Sequence, residues 1–301
     1  MSLFIDVVFP VFLIFVIGFL LGYIFRKAEL TLVSKLALWL FAPVVSFTFV
    51  NDNPASLKEL SMITVGYFIV VGIVQLAFWP FRKNLAFPAS LVYFTLTYTN
   101  AGYYGYPVVV NTYGPEKLSI AVMFAFVIVL AMSTLGIYLI SSSPISGIKN
   151  IFKTPYAMAF IFAAVLNSLG LSYRQLPDFL FKPLEMIDSS ALPFLLIFVG
   201  LSLSRIKLKR ANLARLSILT LTKLFVVPLI ALVVAKFLRF PSDVAKVFVL
   251  EYAMPTGINA SIIASEFNFE PEVVSSTVFA TTLLSVVSLP IVISLCEKVF
   301  S

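Results

Sequence analysis

Apolar residues run along this chain in long blocks, separated by short clusters of charge, proline and glycine. A bilayer crossing needs roughly 20 consecutive apolar residues. Ten blocks approach or reach that length: Phe4–Phe25, Leu32–Val50, Ser61–Phe81, Phe87–Tyr113, Lys117–Ser141, Thr154–Leu171, Leu184–Leu203, Leu213–Leu238, Val244–Phe267 and Glu272–Phe300. The pattern predicts an all-α membrane protein with ten transmembrane helices. In a chain of 301 residues these blocks leave no room for a separate soluble domain, so a single transmembrane domain over 1–301 is expected. The first block has an acidic Asp6 where a signal peptide carries basic residues, and no small-residue cleavage site follows it. It therefore reads as a retained span.

Composition agrees. The apolar fraction is 60%, charged residues are 12% and the mean hydropathy is +1.05. A soluble fold cannot cover that much apolar surface. The net charge of +7 does not form a basic patch with interleaved aromatics, so no nucleic-acid partner is expected. Instead the basic residues mark the block ends. Arg26, Lys27, Lys35, Arg82, Lys83, Lys149, Lys153, Arg205, Lys207, Lys209, Arg210 and Arg215 fall on one side. Lys58, Lys117, Arg174, Lys182, Lys236, Arg239, Lys246 and Lys298 fall on the other. The richer side should be cytoplasmic, which places both termini outside a plasma (inner) membrane. The absence of histidine excludes a His-ligated metal or a His proton relay. The single Cys296 reads as a small buried hydrophobe.

Two blocks are punctuated where a continuous membrane helix should not be. The fourth contains Asn100-Ala101-Gly102-Tyr103-Tyr104-Gly105-Tyr106-Pro107, and the ninth contains Glu251-Tyr252-Ala253-Met254-Pro255-Thr256-Gly257-Ile258-Asn259. Proline removes a backbone donor and clashes with the preceding turn, while glycine tolerates unusual dihedrals. Pro43 and Pro107 lie 64 residues apart, and Pro193 and Pro255 lie 62 apart. The halves, about 1–143 and 154–301, therefore read as duplicates. With five spans each, the second must be inserted upside down, and matched broken helices in such an inverted repeat mark a transporter's site. Pro107 and Pro255 are placed to open half-helices, whose free amides would present partial positive charge to an anion. The alternative is that these prolines only kink two continuous helices.

At these residues the chain resembles the auxin efflux carrier family, which includes bacterial organic-acid carriers and the plant PIN carriers. Phe41-Ala42-Pro43-Val44-Val45-Ser46-Phe47 and Asn51-Asp52-Asn53-Pro54 match its second span and exit. Asn100 through Gly102 and Gly105 to Pro107 has the spacing of its first crossover. Met254 through Thr256 and Gly257 to Asn259, continuing to Ala264-Ser265-Glu266-Phe267, is similar to its second. Gly200-Leu201-Ser202-Leu203 closes span seven in the family manner. The resemblance implies a fold of the bile-acid-symporter and sodium/proton-antiporter type, with scaffold helices 1, 2, 6 and 7 forming a homodimer. Helices 3–5 and 8–10 would move as an elevator. It also implies that Ser46, Asn100, Tyr103 and the Pro107 helix start contact substrate, with Ser133 near a substrate-facing position. Two features depart from the plant carriers. Only Ser142–Lys153 joins spans five and six, and Asn259-Ala260 replaces an apolar-then-proline pair.

Polar residues inside the blocks complete the reading. Lys223 is mid-span and Glu251 lies about a turn before Pro255. Such charges are costly in lipid and mark either ion coupling or a structural pair. Asp188 before Pro193 is a further coupling candidate. Asn100 and Asn259 could cap the unwound segments, contact substrate, or both. The function expected is secondary transport of a small organic anion such as a dicarboxylate, bound at the crossover of Asn100–Pro107 with Pro255–Asn259. The alternative is a sodium- or proton-coupled symporter or antiporter for a non-anionic solute. An intramembrane enzyme is disfavoured by the missing histidine and acidic pair, and no cofactor is expected.

Overall fold

The computed structural model describes residues 9–52, 56–84, 86–141, 155–206 and 213–300. They are helical almost throughout, with no strand among them. In chain order the main helices are α1 (Phe9–Ile24), α2 (Thr31–Asp52), α3 (Leu57–Phe78), α4 (89–97) and α5 (101–113). They continue as α6 (Pro115–Ile140), α7 (Pro155–Ser168), α8 (Asp178–Leu203), α9 (Leu213–Phe237), α10 (Ser242–Ala253), α11 (Ile258–Glu266) and α12 (Pro271–Val299). Each hydrophobic block read from the sequence carries helix. Of these helices α2, α3, α6, α8, α9 and α12 are long and apolar enough to cross a membrane, and α1 and α7 are shorter apolar helices. The pairs α4/α5 and α10/α11 are the two broken blocks. The start of the first block, Asn53-Pro54, the Ser142–Lys153 connection and Lys207, Lys209 and Arg210 lie outside the described residues.

The outer surface is apolar, as a multi-pass membrane protein requires. Leu13, Ile17 and Leu20 on α1, Phe162 on α7, Val233 on α9 and Val287 on α12 are all exposed. Inside, small residues set how closely helices approach. A Cβ added to Gly18 would lie 2.3 Å from the Ile197 carbonyl, and one on Gly200 only 2.1 Å from the Phe15 carbonyl. Thus α1 and α8 pack backbone against backbone, the contact that small residues permit between membrane helices.

Several prolines are absorbed by local widening of the helix. Turns of π-helix at Ala37–Phe41, Ala101–Gly105 and Thr222–Val226 each end two residues before a proline: Pro43, Pro107 and Pro228. The proline ring clashes with the carbonyl four residues back. In each case that carbonyl belongs to the widened turn, so the helix continues. Pro183, Pro193 and Pro290 instead sit within regular helix. Pro43 and Pro193, matched in the sequence, are therefore accommodated differently.

Polar clamps close the ends. Asn51 accepts the Tyr173 amide at 2.8 Å and donates to the Leu171 carbonyl at 3.0 Å. Arg174 grips Asp52 with two hydrogen bonds of 2.7 and 2.6 Å, which holds its guanidinium above the ordinary arginine range. At another end Arg215 forks onto Glu270 at 3.0 and 3.1 Å, so this member of the basic cluster also makes a structural contact.

Because the α1–α8 contact has no free volume at Gly200, Gly200→Val should lower stability by about 1–3 kcal/mol, the usual cost of overpacking. The midpoint of thermal unfolding in detergent measures this, and an unchanged midpoint would show that the contact is dispensable.

Candidate functional site

Between α4 and α5 the chain unwinds over Tyr98–Asn100, and between α10 and α11 over Met254–Gly257. The two unwound segments lie side by side. Thr99 and Thr256 form an antiparallel bridge. The Asn100 amide donates to the Pro255 carbonyl at 2.8 Å, and the Gly257 amide donates to the Tyr98 carbonyl at 2.9 Å. The Thr256 hydroxyl donates to the Thr95 carbonyl at 2.6 Å, and its amide donates to the Thr281 hydroxyl of α12 at 3.2 Å. Backbone groups that lipid cannot satisfy are thus satisfied across the two breaks. The approach is close enough to require a glycine: a Cβ on Gly257 would lie 2.8 Å from the Tyr98 ring.

This geometry shifts two expectations. Pro107 does not open a half-helix: helix begins at Ala101, and the widened turn carries it through Pro107. Pro255 lies within the second break, where its carbonyl accepts the Asn100 amide, and helix resumes at Ile258. The helix starts Ala101 and Ile258 each follow a bridged threonine by two residues. The local sequences are Thr99-Asn100-Ala101-Gly102 and Thr256-Gly257-Ile258-Asn259, with asparagine and glycine exchanged. That correspondence was present in the sequence, but the proline spacing pointed elsewhere.

A cavity of about 360 Å³ opens at these two helix starts. Among the predicted site residues it gathers Asn100, Gly102, Tyr103, Gly257 and Asn259. It adds Tyr98, Thr99, Tyr106 and Tyr156, which the sequence reading did not single out. Asn259 interacts with the hydroxyls of both Tyr98 and Tyr103. The Asn100 side-chain nitrogen and the Thr99 hydroxyl are buried without a hydrogen-bond partner. First-turn amides of α5 and α11 have no partners within their own helices. The rest of the wall is apolar, including Leu38, Ile128, Met132 and Ile262.

The other predicted residues lie outside this wall. Ser46 is buried on α2 next to Tyr156, one layer back. Ser133 is buried in the widened turn Met132–Gly136, while its neighbour Met132 reaches the cavity. Thr256 and Pro255 form the bridge. Asp188 accepts the Thr48 hydroxyl at 2.7 Å, tying α8 to α2 away from the cavity. Lys223 and Glu251 are both fully buried. The Lys223 ammonium donates to the Tyr252 carbonyl at 3.0 Å, and both Glu251 oxygens lack hydrogen-bond partners. Gly105 makes room for that carboxylate, since a Cβ there would lie 2.5 Å from Glu251 Oε2.

A second, wider hollow of about 700 Å³ lies against the other side of α11. Its wall includes Ser202, Arg205, Ser261, Ser265, Glu272 and Ser275, and it shares Ile258 and Ile262 with the first cavity.

Known proteins extend this picture. The sequence matches the family described as "Membrane transport protein" over residues 3–149 and 141–293. An uncharacterized transporter of Methanothermobacter thermautotrophicus is 30% identical over 198 residues, covering 64% of this chain and 63% of that protein. Another, from Methanocaldococcus jannaschii, is 22% identical over 293 residues, covering 93% of this chain and 94% of that protein. Over nearly its whole length, the chain therefore belongs to this membrane transport protein family, that of the auxin efflux carriers.

Proposed function

We propose that this protein is a secondary carrier for a small organic anion, bound where the starts of α5 and α11 meet. One observation carries the reading. A cavity at two helix starts is lined by Asn100 and Thr99, whose buried side-chain nitrogen and hydroxyl have no hydrogen-bond partner, by Asn259 and four tyrosines, and otherwise by apolar side chains. Helix starts and amide donors suit a carboxylate. The apolar remainder suits a hydrocarbon or aromatic body. A cationic solute would find no carboxylate among the lining residues.

The same proposal includes the ten-span inverted repeat, with α4/α5 and α10/α11 as its crossover helices. The antiparallel bridge between Thr99 and Thr256, with a helix starting two residues beyond each, supports it. In this reading α1, α2, α7 and α8 form a scaffold that dimerises in the plasma membrane with both termini outside, and the remaining helices move as an elevator. At the site the boundary between the two units combines a polar link, the 2.5 Å hydrogen bond of Tyr156 on α7 with Tyr106 on α5, with an apolar contact. Tyr103 meets Phe198 of α8 edge-to-face at 5.2 Å, a contact with no hydrogen bond to break on sliding.

Two outcomes are expected. In a thermal-shift screen of monocarboxylates with apolar bodies, matched amines and neutral amides, the carboxylates should stabilise the protein. Asn100→Ala should weaken that binding by roughly 10- to 150-fold, the loss of about 1.5–3 kcal/mol for a hydrogen bond to a charged group. Equal stabilisation of parent and variant would rule out this site. Separately, a Cβ on Gly102 meets nothing within 4 Å, because it faces the cavity. Gly102→Val should therefore abolish carboxylate binding while leaving the ligand-free unfolding midpoint nearly unchanged. Retained binding would place the solute elsewhere.

A further inference from the structure

Behind the cavity wall lies a group that solute binding does not use. Glu251 of α10 is fully buried, and both its oxygens lack a hydrogen-bond partner. The groups that face it are few. Lys223 comes from the widened turn of α9, and Gly105 and Tyr106 come from α5. Tyr156 from α7 completes the set. The described part of α6 that packs on α10, Leu118–Ala131, contains no titratable side chain. The charged residues of α12 lie in its first and last turns. From α3, Tyr67 stacks on Tyr252 and accepts the Tyr252 hydroxyl with its carbonyl.

Among the described residues that act on it, Lys223 alone could neutralise a Glu251 carboxylate, and no hydrogen bond joins the two. Its ammonium is bonded to the Tyr252 carbonyl, in the last turn of α10, where helix carbonyls gather partial negative charge. A buried carboxylate with neither a hydrogen bond nor an ion-pair contact is among the most costly arrangements in a protein interior, whereas a neutral carboxyl is far less so. The site also borders the cavity. Tyr106 and Tyr156 line it, share a hydrogen bond of 2.5 Å and lie within electrostatic reach of Glu251.

From this arrangement we infer that Glu251 is a proton-binding site, and that its proton crosses the membrane with the carboxylate solute. The inference rests on the carrier reading above. An anion in the cavity repels a second negative charge behind Tyr106, so anion and proton favour each other's binding, and the linkage is reciprocal. The proton passes from water to a Glu251 carboxylate oxygen on one side of the membrane and returns to water on the other. On the empty return, ionised Glu251 closes onto the Lys223 ammonium. Anion and proton travel together, so the loaded step carries no net charge beyond that of the empty carrier.

Two measurements test this. The first needs no solute: infrared spectra of the wild-type protein in liposomes, grown with carbon-13-labelled glutamate. A labelled protonated-carboxyl band should be present at neutral pH and lost in Glu251→Gln. Absence of the band in the wild type overturns the proposal. The second uses phenylpyruvate, an aromatic acid too strong to leak through lipid in its neutral form. An imposed proton gradient should drive its accumulation up to about tenfold per pH unit, the limit for one proton per solute. Glu251→Gln, fixed in the neutral form, should exchange phenylpyruvate at a pH-independent rate and lose accumulation. Accumulation retained by that variant, or absent in a wild type that exchanges phenylpyruvate, overturns the proposal. If Glu251→Gln does not fold, the labelled wild type and its gradient response decide alone. A labelled band without exchange of any carboxylate would overturn the carboxylate reading while supporting Glu251 as a proton site.

Discussion

The structure depends on two stretches of unwound backbone satisfying one another inside an apolar bundle. Either break alone would leave amides and carbonyls unpaired inside the bundle, at several kcal/mol for each group that water does not reach. Together, Asn100 and Gly257 supply the donors and Pro255 and Tyr98 the acceptors. Thr256 and Thr281 take up what remains. This mutual pairing fixes where α5 and α11 begin, and so brings two sets of first-turn amides to one cavity. The site is a consequence of the pairing.

Much of this was legible in the sequence, for identifiable reasons. Hydrophobic blocks locate helices because lipid imposes one length scale on every crossing. Both breaks were found, because glycine and proline do not cluster mid-span without cause. The first was misplaced at Pro107, because a proline need not break a helix, and at Pro255 the chain is broken as expected but helix resumes only at Ile258. The widened turn before Pro107 moves the offending carbonyl aside, and such a turn has no dependable signature in residue type. The bridge between Thr99 and Thr256 was also unreadable, since it pairs residues 157 positions apart through backbone groups that every residue carries.

Charged residues show a similar division. Lys223 and Glu251 were recognisable as intramembrane charges, but whether they touch depends on how α9 meets α10. Arg215 read as a topology signal and also grips Glu270. Asp188 read as a coupling candidate, yet it is bonded to Thr48 between two packed helices. In each case residue type announced a cost, and tertiary contact decided how the cost was met. The family assignment rests on the whole chain, whereas the proposed solute chemistry rests on the few side chains at the paired breaks.

The shared wall of the two hollows has its own consequence. Ile258 and Ile262 line the first cavity and also the second hollow, whose wall carries Ser202, Ser261, Ser265 and Ser275. The side chains common to both hollows are branched and mounted on α11, whose first residue is Ile258 and whose start also builds the cavity. A helix that carries both the floor of a site and the plug beneath it cannot move one without the other. Permeation through a static pore would require those side chains to part while the site kept its shape. In the proposed elevator reading, displacing α11 as a unit would move the site with its seal, so water and small ions would gain no continuous path while the solute changes sides.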